Sequence, residues 1–267
     1  MRKRLIFDVI FAIAFLTVST AAQIMSNPGQ WYINNQIYST RVFNGVVANS
    51  MLRKGARSAR QTTTGKQSNK TAIDYTAFRS APNNVLPVKL STKSPNRAET
   101  EQILNTFVGL YKQTAQKDGF PANDLAYAFE YFVVNNYQIY HDLIELPADK
   151  DPRARRAKDG FEKIQILNQK KLLQVSIGQE RTIYNQFREV LAANAEIQKM
   201  NDAQKQEASE LLAIMFGVNF AGYMKGINDG DDQLTRQARQ LAKEGLEKLL
   251  GVPIGQIKIT NNGLELL

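Results

Sequence analysis

The chain contains no cysteine and a single histidine, His141. The first absence excludes disulfides, thiolate metal centres, a thiol nucleophile and a lipid-modified cysteine. The second restricts any Ser-His-Asp chemistry to His141, and no serine stands in the glycine-rich elbow such a nucleophile needs. Acidic residues are nearly missing from one stretch: residues 23–97 hold eleven Lys or Arg and one acid, Asp74. Residues 98–267 hold twenty basic and twenty-three acidic residues, so the net charge of +9 belongs to a tail and not to a folded surface. That division argues against a nucleic-acid-binding fold, and no nucleic-acid partner is expected. Long apolar runs are lacking as well. The longest after residue 22, Leu211 to Met224, has Asn219 inside it and falls short of the roughly 20 residues that cross a bilayer. Its Ala213, Gly217 and Ala221 at four-residue intervals, followed by Gly222, suit close helix approach at the centre of a bundle.

The beginning of the chain has the form of a secretory leader over residues 1–22. Arg2, Lys3 and Arg4 are followed by an apolar stretch from Val9 to Val18 and by small residues Thr20, Ala21 and Ala22. An exported chain without disulfides reads as a secreted or periplasmic bacterial protein; about 170 residues bury enough apolar surface to fold without cross-links. The Asn69-Lys70-Thr71 triplet matters for glycosylation only in a eukaryotic host.

Residues 23–93 read as a basic, largely disordered N-terminal region. Leu52 to Lys70 is cationic and almost free of large apolar groups, too little to offset its ordering entropy. A more apolar patch, Trp31 to Phe43, is punctuated by asparagines, and Tyr75 to Lys93, with Pro82 and Pro87, reads as an extended lead-in.

A helical domain is expected over residues 94–267, all-α, with roughly six helices in a bundle-like arrangement. Ser94-Pro95 starts the first, whose apolar side is Ile103, Phe107, Leu110 and Tyr111 and whose end is Gly119. The second spans about Asn123 to Ile144. Asp151-Pro152 starts a third, with Phe161, Ile164, Leu167, Leu172 and Val175 as its apolar side, and Gly178 ends it. Ile183, Phe187, Val190, Leu191 and Ile197 line the fourth. Asn201 or Asp202 caps a fifth, and Asp231 or Asp232 a sixth that carries Leu234, Ala238, Leu241 and Leu249 and stops at Gly251. Alternation in Ile257-Lys258-Ile259 and the turn dipeptide Asn262-Gly263 predict a short C-terminal β-hairpin.

The order of leader, basic tail, lead-in ending near Pro87, then Asn123-Asp124-Leu125-Ala126-Tyr127-Ala128, Tyr137 with Tyr140, and Leu249-Leu250-Gly251-Val252 before Gly263 resembles an exported bacterial family described only as a domain of unknown function. The resemblance implies an all-helical exported domain and carries over no catalytic residue. At Asn123-Asp124 the physical reading is helix capping.

Each candidate site has an ordinary structural reading beside it. His141 and Glu145, one helical turn apart, are two ligands of a metal, or a dipole-stabilising pair near a helix end. Glu130, between Phe129 and Tyr131, is an acid catalyst if burial raises its pKa, or a residue on the wet face. Asn228-Asp229-Gly230-Asp231-Asp232 opens like a calcium loop but has Leu234 where glycine is needed, so a turn plus a cap is the better reading. The aromatics Tyr111, Tyr127, Phe129, Tyr131, Phe132, Tyr137 and Tyr140 stack sugars or build core. Arg153, Arg155, Arg156 and Lys158 read as a solvated first helical turn in preference to a phosphate site. No cofactor is expected. The function these features favour is an exported binding or interaction module of unknown ligand, whose partner is a protein or an anionic membrane or wall surface reached by the tail. A secreted hydrolase acting on glycan or peptide through a carboxylate is the alternative.

Overall fold

The computed structural model describes residues 75–92 and 94–267. The expected leader, the Trp31 to Phe43 patch and most of the basic tail lie outside the described residues. Within them the protein is all-α with one small antiparallel sheet, as the periodicities require.

Capping chemistry delimits the helices. After the short α1 (Leu86–Ser91), α2 (Arg97–Asp118) ends on Gly119 in the left-handed conformation, φ 74°. Asp124 opens α3 (Leu125–Tyr140) by accepting the Ala126 amide at 2.8 Å, which is the capping role its sequence context implies. Asp159 caps α4 (Gly160–Leu173), and Ser176 with Gln179 forms a reciprocal capping box at α5 (Ile177–Ala192). Asn194 starts a five-residue α6 (Ala195–Lys199), so Ile197 leaves the fourth predicted helix for an element of its own. The Asn201–Gln204 capping box opens α7 (Asp202–Asp229), and Asp231 opens α8 (Asp232–Leu250). Strands β1 (Ile257–Thr260) and β2 (Gly263–Leu266) then pair antiparallel, Ile257 opposite Leu266 and Thr260 opposite Gly263.

The core lies where α3 packs against α5, α7 and α8, with α2 laid across α7. Phe107, Tyr111, Phe129, Phe132, Phe187, Ile214 and Leu246 fill it. Gly217 of α7 lies against the Phe107 ring of α2, the close approach its small-residue spacing calls for. Asn219 meets a polar counterpart, donating from Nδ2 to Asn136 Oδ1 at 2.8 Å. No helix among the described residues is long and apolar enough to cross a membrane.

Two expectations are corrected. The folded unit reaches back to Tyr75, ahead of the Ser94 start expected for it, and the lead-in is partly helical. Phe78 and Leu86 are buried, and Ala77 forms a bridge with Asp124. Glu210 of α7 accepts the Val85 and Leu86 amides at 2.9 and 2.7 Å, capping a helix whose own first residues offer no side-chain cap. Gln206 accepts from the Ala81 amide and donates to the Asn83 carbonyl. These polar residues are buried because they satisfy the backbone of the lead-in.

The third helix, in turn, starts at Gly160 and not at Asp151. Asp151 does act as a cap, accepting the Arg153 and Ala154 amides, but it opens only a single 3-10 turn, Ala154–Arg156. The side of α4 predicted to face inward is largely outside: Phe161 is 71% exposed, Ile164 59% and Leu172 86%. The residue that attaches α4 to the domain is Lys170, whose Nζ donates to the Ile144 carbonyl at 2.5 Å and pairs with the buried Asp151 carboxylate. At about 100° per residue, Phe161 lies on the opposite side of the helix from Lys170. The polar pair therefore turns the apolar stripe to solvent.

Candidate functional site

A cleft of about 200 Å³ opens between α2, α3, α5 and α7. Tyr131, Phe216 and Phe220 supply its aromatic wall, with the Tyr131 and Phe216 rings edge to face at 5.0 Å. Asp118 at the end of α2, Glu180 in the first turn of α5 and Glu145 beyond α3 bring carboxylates to it, and Asn135, Gln138 and Gln174 bring amides. Carboxylates, amides and an aromatic wall together can hold a hydroxyl-rich or cationic group.

Glu130 is buried, 3% exposed, and not on the wet face. Burial pushes its carboxyl well above the ordinary range, and the negative charges of Glu180 and then Asp118 push it further. Two residues that line the cleft thus act on a buried carboxyl that does not itself line it. The same burial raises the neighbouring phenols Tyr111, Tyr127 and Tyr131. These aromatics are core: Tyr111 and Tyr127 stack at 5.2 Å, and the Tyr111 hydroxyl donates to the Ala122 carbonyl at 2.9 Å. Asp124 is likewise raised by burial, while the Tyr184 hydroxyl donating to it at 2.8 Å opposes the shift.

His141 and Glu145 do not share a helix face. α3 ends at Tyr140, and the chain turns through Asp142 at φ 50°, a strained backbone for a non-glycine residue. His141 is wedged between the Tyr137 and Tyr140 rings at 4.4 and 4.8 Å, its Nε2 buried without a hydrogen bond. Burial and then the nearby Arg153 cation push its pKa down. Glu145 is exposed on the cleft. Among the described residues no group of three or more His, Asp or Glu is placed to hold a metal ion. In the calcium-like stretch Gly230 is the left-handed end of α7, Asp229 pairs with Lys225, and Asp231 caps α8.

The exposed side of α4 is the second feature. Beside Phe161, Ile164 and Leu172 stand Lys158 and Lys171, neither in an ion pair among the described residues, together with the acidic Glu162, which accepts from the Lys158 amide. Sequence periodicity found the stripe but not its direction.

The chain matches the sequence model of a family of unknown function, DUF6683, over residues 1–157 and 175–267, and belongs to that family. Residues 158–174, which contain α4, fall between the two matched parts. Neither a curated protein nor a solved structure matches the chain.

Proposed function

We propose that this member of the family is an exported bacterial interaction module that docks on an anionic surface of the cell envelope. The outward face of α4 carries the reading: Phe161, Ile164 and Leu172 stand exposed beside Lys158 and Lys171, which have no ion-pair partner among the described residues. An apolar stripe beside cations is the composition that lies in the headgroup layer of an anionic bilayer. A helix of 14 residues is about 21 Å long, so the contact runs along the surface and not through it. Packing α4 against α4 of a second copy would oppose lysine to lysine, which disfavours self-association through this face. The cationic segment ahead of the domain adds a salt-sensitive tether. With the folded unit reaching back to Tyr75, that segment holds seven Lys or Arg over residues 23–74, against Asp74 alone.

The test is cosedimentation of the full chain with vesicles of phosphatidylglycerol or phosphatidylcholine. Retention is expected on the anionic vesicles, reduced about tenfold or more by Phe161→Ser with Leu172→Ser and reduced further by salt. Equal retention of the double variant would remove α4 from the interface. No retention of the parent chain would remove the reading.

The cleft favours a second reading, a secreted hydrolase acting on glycan or peptide. Its support is the buried Glu130, whose carboxyl is pushed upward by burial and then by the Glu180 and Asp118 charges, since acid–base hydrolysis needs two carboxyls held in different protonation states. Release of soluble fragments from peptidoglycan or casein, lost in both Glu130→Gln and Glu180→Gln, would establish it. Intact substrate after incubation with the full chain would dismiss it.

A further inference from the structure

Arg155 and Arg156, on the 3-10 turn, meet two arginines from a distant segment of the chain. With Arg236 and Arg239 of α8 they line a cavity of about 350 Å³ at the turn joining α7 to α8. Among the described residues Asp232 is the one acid in the lining, and with the Arg239 charge met by Asp142 the cavity carries an excess of two positive charges.

Little in the fold cancels that excess. The Arg155 guanidinium donates to two carbonyls, Nη2 to Ile227 at 3.1 Å and Nε to Asp149 at 3.3 Å, which orient it without neutralising it. Arg239 is the exception, its Nη1 paired with Asp142 Oδ2 at 2.6 Å. Asp142 is in turn fixed by the Tyr223 hydroxyl, which donates to its other oxygen at 3.1 Å. Arg156 and Arg236 are exposed and have no ion-pair partner among the described residues. Two guanidiniums are thus held in place by the fold and two are free to close on a ligand. The first amides of α8 contribute nothing, because the Asp231 side chain already accepts from Gln233 and Leu234 at 2.9 and 3.0 Å.

We propose that this cavity binds a phosphate-bearing ligand. Planar guanidinium forks match tetrahedral oxyanions with paired hydrogen bonds, and several forks around one cavity select a multiply charged phosphate over a carboxylate. The volume exceeds that of a lone oxyanion and leaves room for the group that carries the phosphate. Asp232 opposes the bound charge and sets an upper limit on affinity. The site is independent of the α4 face, which can fail as a docking surface without affecting it.

Calorimetric titration of the full chain with inorganic pyrophosphate at constant ionic strength reads the site. A second arm measures retention on phosphatidylglycerol vesicles. The chain is expected to show one saturable site, weakened about tenfold or more by either Arg156→Ala or Arg236→Ala and tightened severalfold by Asp232→Asn. The basic segment before residue 75 is unchanged in all three variants, so their difference reports the cavity alone. Neither arginine has an ion-pair partner to lose among the described residues, and the gain from Asp232→Asn is a result that misfolding cannot imitate. A response to pyrophosphate identifies a soluble phosphate ester or diphosphate as the ligand class. An arginine-dependent response on vesicles alone identifies a lipid headgroup. If the Arg156→Ala, Arg236→Ala double variant binds both probes as the parent does, or the parent binds neither, the assignment is overturned.

Discussion

Replacing Gly217 by alanine is the sharpest test of the packing. A Cβ at that position of α7 would lie 2.3 Å from Phe107 Cγ and 2.6 Å from both its Cβ and Cδ1. Carbon atoms in contact prefer about 3.5–4.0 Å, so the overlap exceeds an ångström. Phe107 is 3% exposed, and the contact is with the root of its ring, so a change of rotamer cannot clear it. Alanine in a helix interior gains roughly 1 kcal/mol over glycine from backbone entropy. Forcing α2 away from α7 costs about 3 kcal/mol, the upper part of the range for overpacked cores. The net expectation for G217A is a loss of about 2 kcal/mol, or about 4–8 °C in Tm for a domain of this size. Gly109 supplies the internal control. It lies on α2, and a Cβ there meets nothing within 4 Å. The same substitution should therefore stabilise by about 0.5–1 kcal/mol through propensity alone. Urea denaturation of both variants, with unchanged m-values, measures the two signs. A G217A protein as stable as G109A would refute the close crossing of α2 and α7.

The Lys170–Asp151 pair should be costly to break on one side. Lys170→Met leaves the buried Asp151 carboxylate without its cation and is expected to destabilise by about 3–5 kcal/mol, while adding Asp151→Asn recovers part of the loss. A fully additive double variant, measured by denaturant unfolding, would contradict a direct interaction. Glu130 carries a pH dependence of definite sign. Its folded pKa is raised above the ordinary value near 4.5, so the native state holds its proton where the unfolded chain releases it. Stability from this group is full below about pH 4.5 and falls as the pH rises toward the folded value, about 1.4 kcal/mol for each tenfold change in the acid constant. Glu130→Gln removes that slope. Thermal melts across the pH range should show the two proteins converging in acid and the variant more stable at neutral pH; parallel curves would mean that Glu130 is ionised in the fold.

Helix boundaries were legible wherever a single residue sets them. Asn201, Asp231 and the left-handed Gly119, Gly230 and Gly251 signal starts and stops from local chemistry alone. The hairpin was legible for the same reason, with Ile257 and Ile259 alternating ahead of Asn262-Gly263. Local rules failed where two signals competed. Asp151 and Asp159 are both caps, and nothing near either says that the first opens only a 3-10 turn while the second opens α4. They failed again where a partner is distant. Gln206 and Glu210 read as ordinary polar positions of a long helix, and their burial comes from the backbone of residues 81–86, more than a hundred residues earlier.

The two surfaces proposed as functional share that second difficulty. Arg155 and Arg156 resemble a solvated turn until Arg236 and Arg239 arrive from α8 to close a cavity around them. In α4 the spacing of Phe161, Ile164 and Leu172 is helical, and helical spacing of apolar residues ordinarily marks a buried face. Periodicity, however, records only that the residues share a side. Which side faces the domain is decided by the strongest anchor available. Here that anchor is Lys170, because Asp151 is already buried beneath the helix and would be an uncompensated charge without it. Rotating α4 to bury its apolar stripe would withdraw the lysine and strand the carboxylate, so the stripe stays exposed at a cost the fold accepts. The stretch outside the family match thus holds a helix whose one buried residue is Lys170.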